Sequence, residues 1–136
     1  MMYYSGFADE ASPDIDRQIA ATKELGWSCI ESRNIDGTNI IDLDDRRFDE
    51  VCEKLADAEI RINCFGSAVA NHGTNVFDDT HVHRSLDQMR RAVPRMKRLG
   101  TRMIRGMSFA LPTTHEPNSQ ETRTRVLKNL SETVKI

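Results

Sequence analysis

The sequence predicts an α/β protein built on a parallel sheet, and three features carry that reading. Short apolar runs alternate four times with amphipathic helical patterns across the 136 residues. Gly26 and Gly100 stand where two of those patterns stop, as a C′ glycine does. No linker or low-complexity stretch interrupts the series, so residues 1–136 read as one structural unit. Such alternation makes βαβ units, whose right-handed crossovers gather the strand C-termini on one side of the sheet.

The elements follow in order. Tyr3–Ala8 (YYSGFA) reads as a first strand, then Ser12 as an N-cap with Pro13 at the first helical position. Ile15, Ile19, Thr22 and Leu25 recur at helical spacing. Trp27–Arg33 (WSCIESR) is the second strand, and the polar loop NIDGTNIIDLDD leads to a helix starting near Asp44 or Asp45. Its buried face is expected to hold Phe48, Val51, Cys52, Leu55 and Ala58. Ile60–Gly66 (IRINCFG) is the third strand. A long loop precedes a helix with Leu86, Met89, Val93 and Met96 as its core stripe, and Pro94 should kink it or leave it irregular. Thr101–Phe109 is the fourth strand. Asn118 with Glu121 forms a capping box for a helix facing inward through Val126, Leu127, Leu130 and Val134.

A complete (β/α)8 barrel takes roughly 250 residues, so four units should take about 125. The last pattern also reaches Ile136 with no Gly, Pro or cap after it. Half a barrel fits this chain better than a finished four-stranded doubly wound domain.

Composition narrows the function. The formal net charge is −2, with 38% hydrophobic and 29% charged residues, which lacks the basic footprint of a nucleic-acid binder. No apolar run approaches the roughly 20 residues of a membrane span. The first residues carry no basic segment, so a signal peptide is not expected. Cys29, Cys52 and Cys64 are an odd number without CxxC spacing, which suits free thiols in a reducing, cytoplasmic compartment.

Ligand sites in parallel α/β folds lie at the C-terminal strand ends. Asp9 and Glu10 follow strand one there, and Glu31 and Arg33 end strand two. Gly66 and Ser67 end strand three, with Asn71 and His72 in its loop; Arg105 and Ser108 belong to strand four. Strand alternation places Cys29, Glu31 and Arg33 on one face. The two arginines suit a carboxylate, phosphate or polyhydroxyl group, and Glu31 is expected to pair with an arginine, because buried charges are costly alone. His81 and His83 sit beside Asp78 and Asp79, but their spacing does not share a helical face, and they read as solvated surface. His115 is a weaker candidate. Neither nucleotide-binding glycine fingerprint, nor GxSxG, nor HExxH occurs.

The stretches GFADEAS, ELGWSCIESRNIDGTNIIDL, INCFGSAVANHG and KRLGTRMIRGMSF resemble the sugar phosphate isomerase/epimerase group with the xylose-isomerase-like TIM barrel, over that barrel's N-terminal half. The resemblance implies a divalent metal (Mn, Mg, Co or Zn) and a small sugar or polyol substrate, isomerised or epimerised with carboxylates moving the proton. It also places metal ligands and catalytic carboxylates on later strands, so no metal is expected on this chain alone. Glu31, Arg33, Gly66, Ser67, His72, Arg105 and Ser108 are then substrate-side positions. Glu59 stands where the family often has glycine. The alternatives are a non-catalytic α/β binding module or a barrel relative with other chemistry, such as a dehydratase. Open sheet edges predict self-association.

Overall fold

The computed structural model describes residues 3–136. A 3-10 turn, Ala8–Glu10, precedes α1 (Ile15–Glu24) and β1 (Cys29–Ser32). Two short strands follow, β2 (Asn34–Ile35) and β3 (Thr38–Asn39), then α2 (Asp45–Asp57) and β4 (Arg61–Phe65). The chain continues through α3 (Asp79–Leu99), β5 (Met103–Ile104) and α4 (Gln120–Thr133). Two compact units result. One takes the chain up to Ser67 together with Pro94–Arg105; the other takes Ala68–Val93 and Gly106–Ile136.

The first unit carries the parallel sheet. β4 lies between β1 and β5, and Phe7 adds a single parallel bridge on the far side of β1 at Glu31. The order Phe7, β1, β4, β5 is therefore the chain order. A doubly wound sheet reverses direction at its switch point; a barrel adds each strand beside the last. Ile15, Ile30, Ile35, Ile40, Ile41, Val51 and Phe65 are almost fully buried around this sheet.

Local chemistry explains the departures from the expected elements. Strand one shrinks to the Phe7 bridge, because the chain turns at once into the 3-10 segment. The cap of α1 is Asp14, which accepts from the Arg17 amide. Ser12 Oγ instead accepts from Asp14 N, and the Ser12 and Pro13 carbonyls accept from buried Gln18. Gln18 thus takes a core place, Ile19 is half-buried, and Leu25 is exposed.

The loop after strand two holds the β2–β3 hairpin. Asp36 and Gly37 both have positive φ (53° and 76°), the two-residue turn that Asp-Gly favours. α2 starts where expected, is capped by Asp44 and buries Phe48, Val51 and Leu55, while Cys52 and Ala58 are half-buried. Arg95 holds the following loop through the carbonyls of Ile40, Ile41 and Leu43 (2.9, 3.1 and 2.6 Å) and stacks over Phe48.

α3 runs through Pro94 without a break in its assignment. Its buried residues are Val82, Ser85, Leu86, Gln88 and Ala92, so Met89, Val93 and Met96 are half-buried rather than core. In the second unit, Met107 N and Phe109 N donate to Val69 O and Ala70 O, which fixes residues 106–110 without a ladder. Strand four is accordingly two residues long, Met103–Ile104.

α4 keeps Val126 and Leu130 half-buried but is rotated from the expected face. Thr122, Asn129 and Thr133 are buried, whereas Leu127 and Val134 are exposed. The reason is a backbone carbonyl: Val76 O accepts from Arg125 Nε (3.2 Å) and Asn129 Nδ2 (3.1 Å), so the inward face must be polar. The cap is Ser119, one residue after the expected Asn118, accepting from Thr122 N at 3.1 Å.

Candidate functional site

The first unit places a compact polar cluster at the C-terminal ends of its strands. Arg33 follows β1 directly, and its Nε donates to Asp9 Oδ2 at 2.9 Å. Asn34 Nδ2 donates to the same oxygen at 3.0 Å, and Glu10 lies 3.7 Å from Arg33 Nη2. The Asp9 side chain is only 7% exposed, yet its second oxygen, Oδ1, is buried without a hydrogen-bond partner. A carboxylate oxygen in that position normally has a donor. The hydrogen bond that Arg33 donates to Asp9, with the Asp9 and Glu10 charges, raises Arg33 above its ordinary value against the opposing effect of burial. Arg33 therefore stays cationic throughout the useful pH range.

Phe7 joins this cluster to Arg105. The Arg33 and Arg105 guanidinium carbons lie 4.6 and 5.3 Å from the centre of the same ring, within cation–π range. Arg105 is aimed by Ser67, whose carbonyl accepts from Nε (3.2 Å) and Nη2 (2.9 Å). Ser67 Oγ returns a hydrogen bond to the Arg105 carbonyl. Ser67 itself is fully buried, so it serves through its backbone and as a brace.

Gly66 lets the two strand ends meet. Its N–H donates to Ser32 O at 2.7 Å, and Asn39 Nδ2 donates to its carbonyl at 3.1 Å. A Cβ there would lie 2.5 Å from Ser32 O and 2.9 Å from Arg33 Cα. Any side chain at this position would move Arg33.

Of the expected site residues, Arg33, Gly66, Ser67 and Arg105 come together in this unit. Glu31 is half-buried, but among the described residues no cation lies within 4.0 Å of its carboxylate. The expected Glu–Arg contact is made by Glu10 instead. The register shift after Ile30 skips Asn63 of β4, so Glu31 comes opposite Cys64. Glu31 instead lies near Cys64: burial first, then the Glu31 charge, push that thiol above its ordinary value. His72 and Ser108 belong to the second unit, and both are exposed. Asp9 and Glu10 were visible as polar strand-end residues. Asn34 and Asn39 were not singled out, although the Asp-Gly turn between them is a hairpin signal.

The remaining histidines are structural in their contacts. His81 Nδ1 accepts from Asn75 N at 3.0 Å, so it is half-buried rather than solvated. His83 is exposed and pairs with the Asp79 carbonyl, and His115 stacks on Phe77 at 4.1 Å. Among the described residues no three His, Cys, Asp or Glu side chains gather to hold a metal ion.

The model of the xylose isomerase-like TIM barrel family matches residues 19–136. The chain belongs to that family. No curated protein sequence matches it. Among solved structures, the barrel resembles the apo form of 3-keto-D-glucoside 4-epimerase, YcjR, from E. coli, with 18% identity and a TM-score of 0.60. The likeness covers 87% of this chain and 44% of that one. At this identity it establishes the fold alone. The chain thus spans less than half the length of that barrel, and its four βα units form part of one. No helix among the described residues is long and apolar enough to cross a membrane.

Proposed function

We propose that this chain forms the substrate-anchoring side of a sugar isomerase or epimerase site, with Arg33 and Arg105 as the anchoring cations. The observation that carries the reading is the pair of fixed guanidiniums at the strand ends: Asp9 holds Arg33, and the Ser67 carbonyl holds Arg105. A polyol offers hydroxyl acceptors for the guanidinium donors that Asp9 and Ser67 leave open. The Phe7 ring, with both guanidiniums over it, keeps the two cations together at the strand ends. The family and the epimerase neighbour support the substrate class.

The family's divalent metal does not fit these residues. Asp9 Oδ2 is engaged by Arg33 and Asn34, its Oδ1 is buried, and among the described residues no ligand cluster accompanies it. The role assigned to this chain is therefore binding and orientation. Arg33 fixes the ligand, Asp9 fixes Arg33, and Ser67 aims Arg105.

Titrating the isotope-labelled chain with a 3-keto-glucoside and with a ketose, followed by NMR, tests the reading. Shifts should concentrate at residues 7–10, 33–34 and 105, and should vanish in Arg33→Ala. Adding a separately expressed second half of a related enzyme should restore epimerisation that Arg33→Ala then weakens. No sugar-dependent shift at the cluster, or shifts that survive Arg33→Ala, would count against it.

A further inference from the structure

Between the Arg33 anchor and α2 stands the β2–β3 hairpin, and its contacts tie the two together. Its strands are two residues each, paired as Asn34 with Asn39 and Ile35 with Thr38. A two-stranded hairpin this short does not hold its shape alone, so its position depends on what grips it.

The base grips the site. Asn34 Nδ2 donates to Asp9 Oδ2 at 3.0 Å, the oxygen that also accepts from Arg33 Nε. On the facing strand, Asn39 Nδ2 donates to Gly66 O at 3.1 Å, while Asn39 Oδ1 accepts from Ile41 N. Ile40 N donates to the Arg33 carbonyl at 2.9 Å. Arg33 is therefore held at both ends of the hairpin: Asn34 shares its carboxylate partner, and Ile40 fixes its backbone.

The tip is gripped from elsewhere. Asp36 N donates to the Pro13 carbonyl at 2.8 Å, and Ile35 is fully buried. Towards α2 a cleft of about 470 Å³ opens, lined by Asp36 and Thr38 of the hairpin and by Leu43, Arg47 and Glu50. Filled core thus does not fix the tip on that side. Charge does: Arg47 donates to Asp36 Oδ2 from both Nε (2.9 Å) and Nη2 (2.6 Å). Arg47 Nη1 donates to Glu50 Oε2 at 3.0 Å, which aims the fork. The hydrogen bonds to Glu50 and then Asp36 raise Arg47 above its ordinary value. The Arg47 side chain is only 26% exposed, so the pair is partly sheltered from water, and a forked bond fixes direction as well as distance.

We propose that Arg47 is a positioning residue for the Arg33 anchor, acting through Asp36 and the β2–β3 hairpin. The role in binding rests on Arg33 holding the sugar, but Arg33 can be followed without one.

The test measures hydrogen exchange at Arg33 Nε–H by NMR on the isotope-labelled chain, first without ligand and then during sugar titration. Arg47→Ala should speed that exchange about fivefold, the weight of one well-placed ion pair, and weaken sugar binding by a like factor. Asp36→Asn should do the same, and it keeps the turn, because Asn-Gly suits such a hairpin as Asp-Gly does. Combining the two should add nothing, since either alone opens the pair. Arg47→Lys keeps the charge without the fork and should restore part of the protection. Arg46→Ala removes a neighbouring cation that is 90% exposed and pairs with Glu50 rather than Asp36, so Arg33 should be unchanged. Arg33 exchange that neither Arg47→Ala nor Asp36→Asn alters would overturn the proposal. So would additive effects, an equal response to Arg46→Ala, or sugar binding that neither variant weakens. If Arg33 responds as expected in a chain that binds no sugar, the positioning stands and the sugar reading falls.

Discussion

Gly66→Ala is the substitution whose cost can be worked most directly from the geometry. The added Cβ would meet Ser32 O at 2.5 Å and Arg33 Cα at 2.9 Å. Both are backbone atoms, so neither can swing aside as a flexible side chain would. Overpacking of this kind costs about 1–3 kcal/mol, and two backbone clashes point to the upper end. The φ of Gly66 is not in the left-handed region, so alanine adds no torsional strain. Alanine also restricts the unfolded chain, which returns about 0.4–1 kcal/mol. The net loss should be about 2 kcal/mol, read as a lower urea midpoint at unchanged m. Gly106→Ala is the control: nothing lies within 4 Å of its added Cβ, so it should be neutral or slightly stabilising. The clash also pushes on Arg33, so sugar-induced shifts at residues 7–10 should weaken in Gly66→Ala. Equal midpoints for the two variants would refute the close approach of the β1 and β4 ends.

Three further outcomes follow from individual residues. Glu59 has a φ of 58°, a conformation costing roughly 1 kcal/mol in a non-glycine residue; Glu59→Gly should raise the urea midpoint, by up to about 1 kcal/mol less the unfolded-chain entropy that glycine adds. Burial and then the Glu31 charge raise the Cys64 thiol, so Glu31→Gln should lower that pKa and speed Cys64 alkylation at pH 8, with Cys29 remaining slow because it is buried. Hydrogen bonds from Arg47, then Arg46, hold Glu50 below its ordinary value of 4.5. Its contribution is complete above the unfolded value and is lost as pH falls through the lowered folded one. Glu50→Gln should therefore flatten the stability profile below pH 4.5, checked by urea titrations along that range.

Much of the fold was legible because its signals are local. Asp44 caps α2, Gly26 and Gly100 end helices with φ of 68° and 67°, and the strands at 29–32 and 61–65 fall inside their apolar runs. What was not legible depends on partners far away in the chain. Leu127 and Val134 look like core, but the Val76 carbonyl, 53 residues before Asn129, draws Arg125 and Asn129 inward and leaves those two exposed. Gln18 is buried because the Asn34 carbonyl needs a donor, which no periodicity within α1 reveals. The site divided in the same way. Arg33 and Arg105 stood out as charges in apolar strands, whereas the Asp9 partner of Arg33 lies 24 residues earlier. Glu31 lacks the expected arginine because its register partner is Cys64, set by an extra β4 residue that the β1 sequence does not show.

The chain order of the sheet is the central structural claim, and amide–amide and Hα contacts measured by NMR on the labelled chain test it most directly. Cross-strand contacts should join Phe7 to Glu31, Glu31 to Cys64, and Cys64 to Met103, with no contact between Phe7 and Cys64 in one chain. That pattern is the one a barrel segment requires. Contacts that place the Phe7 strand directly against β4 or β5 of the same chain would reveal a reversed, doubly wound order, and would contradict both the barrel segment and the site built at its strand ends.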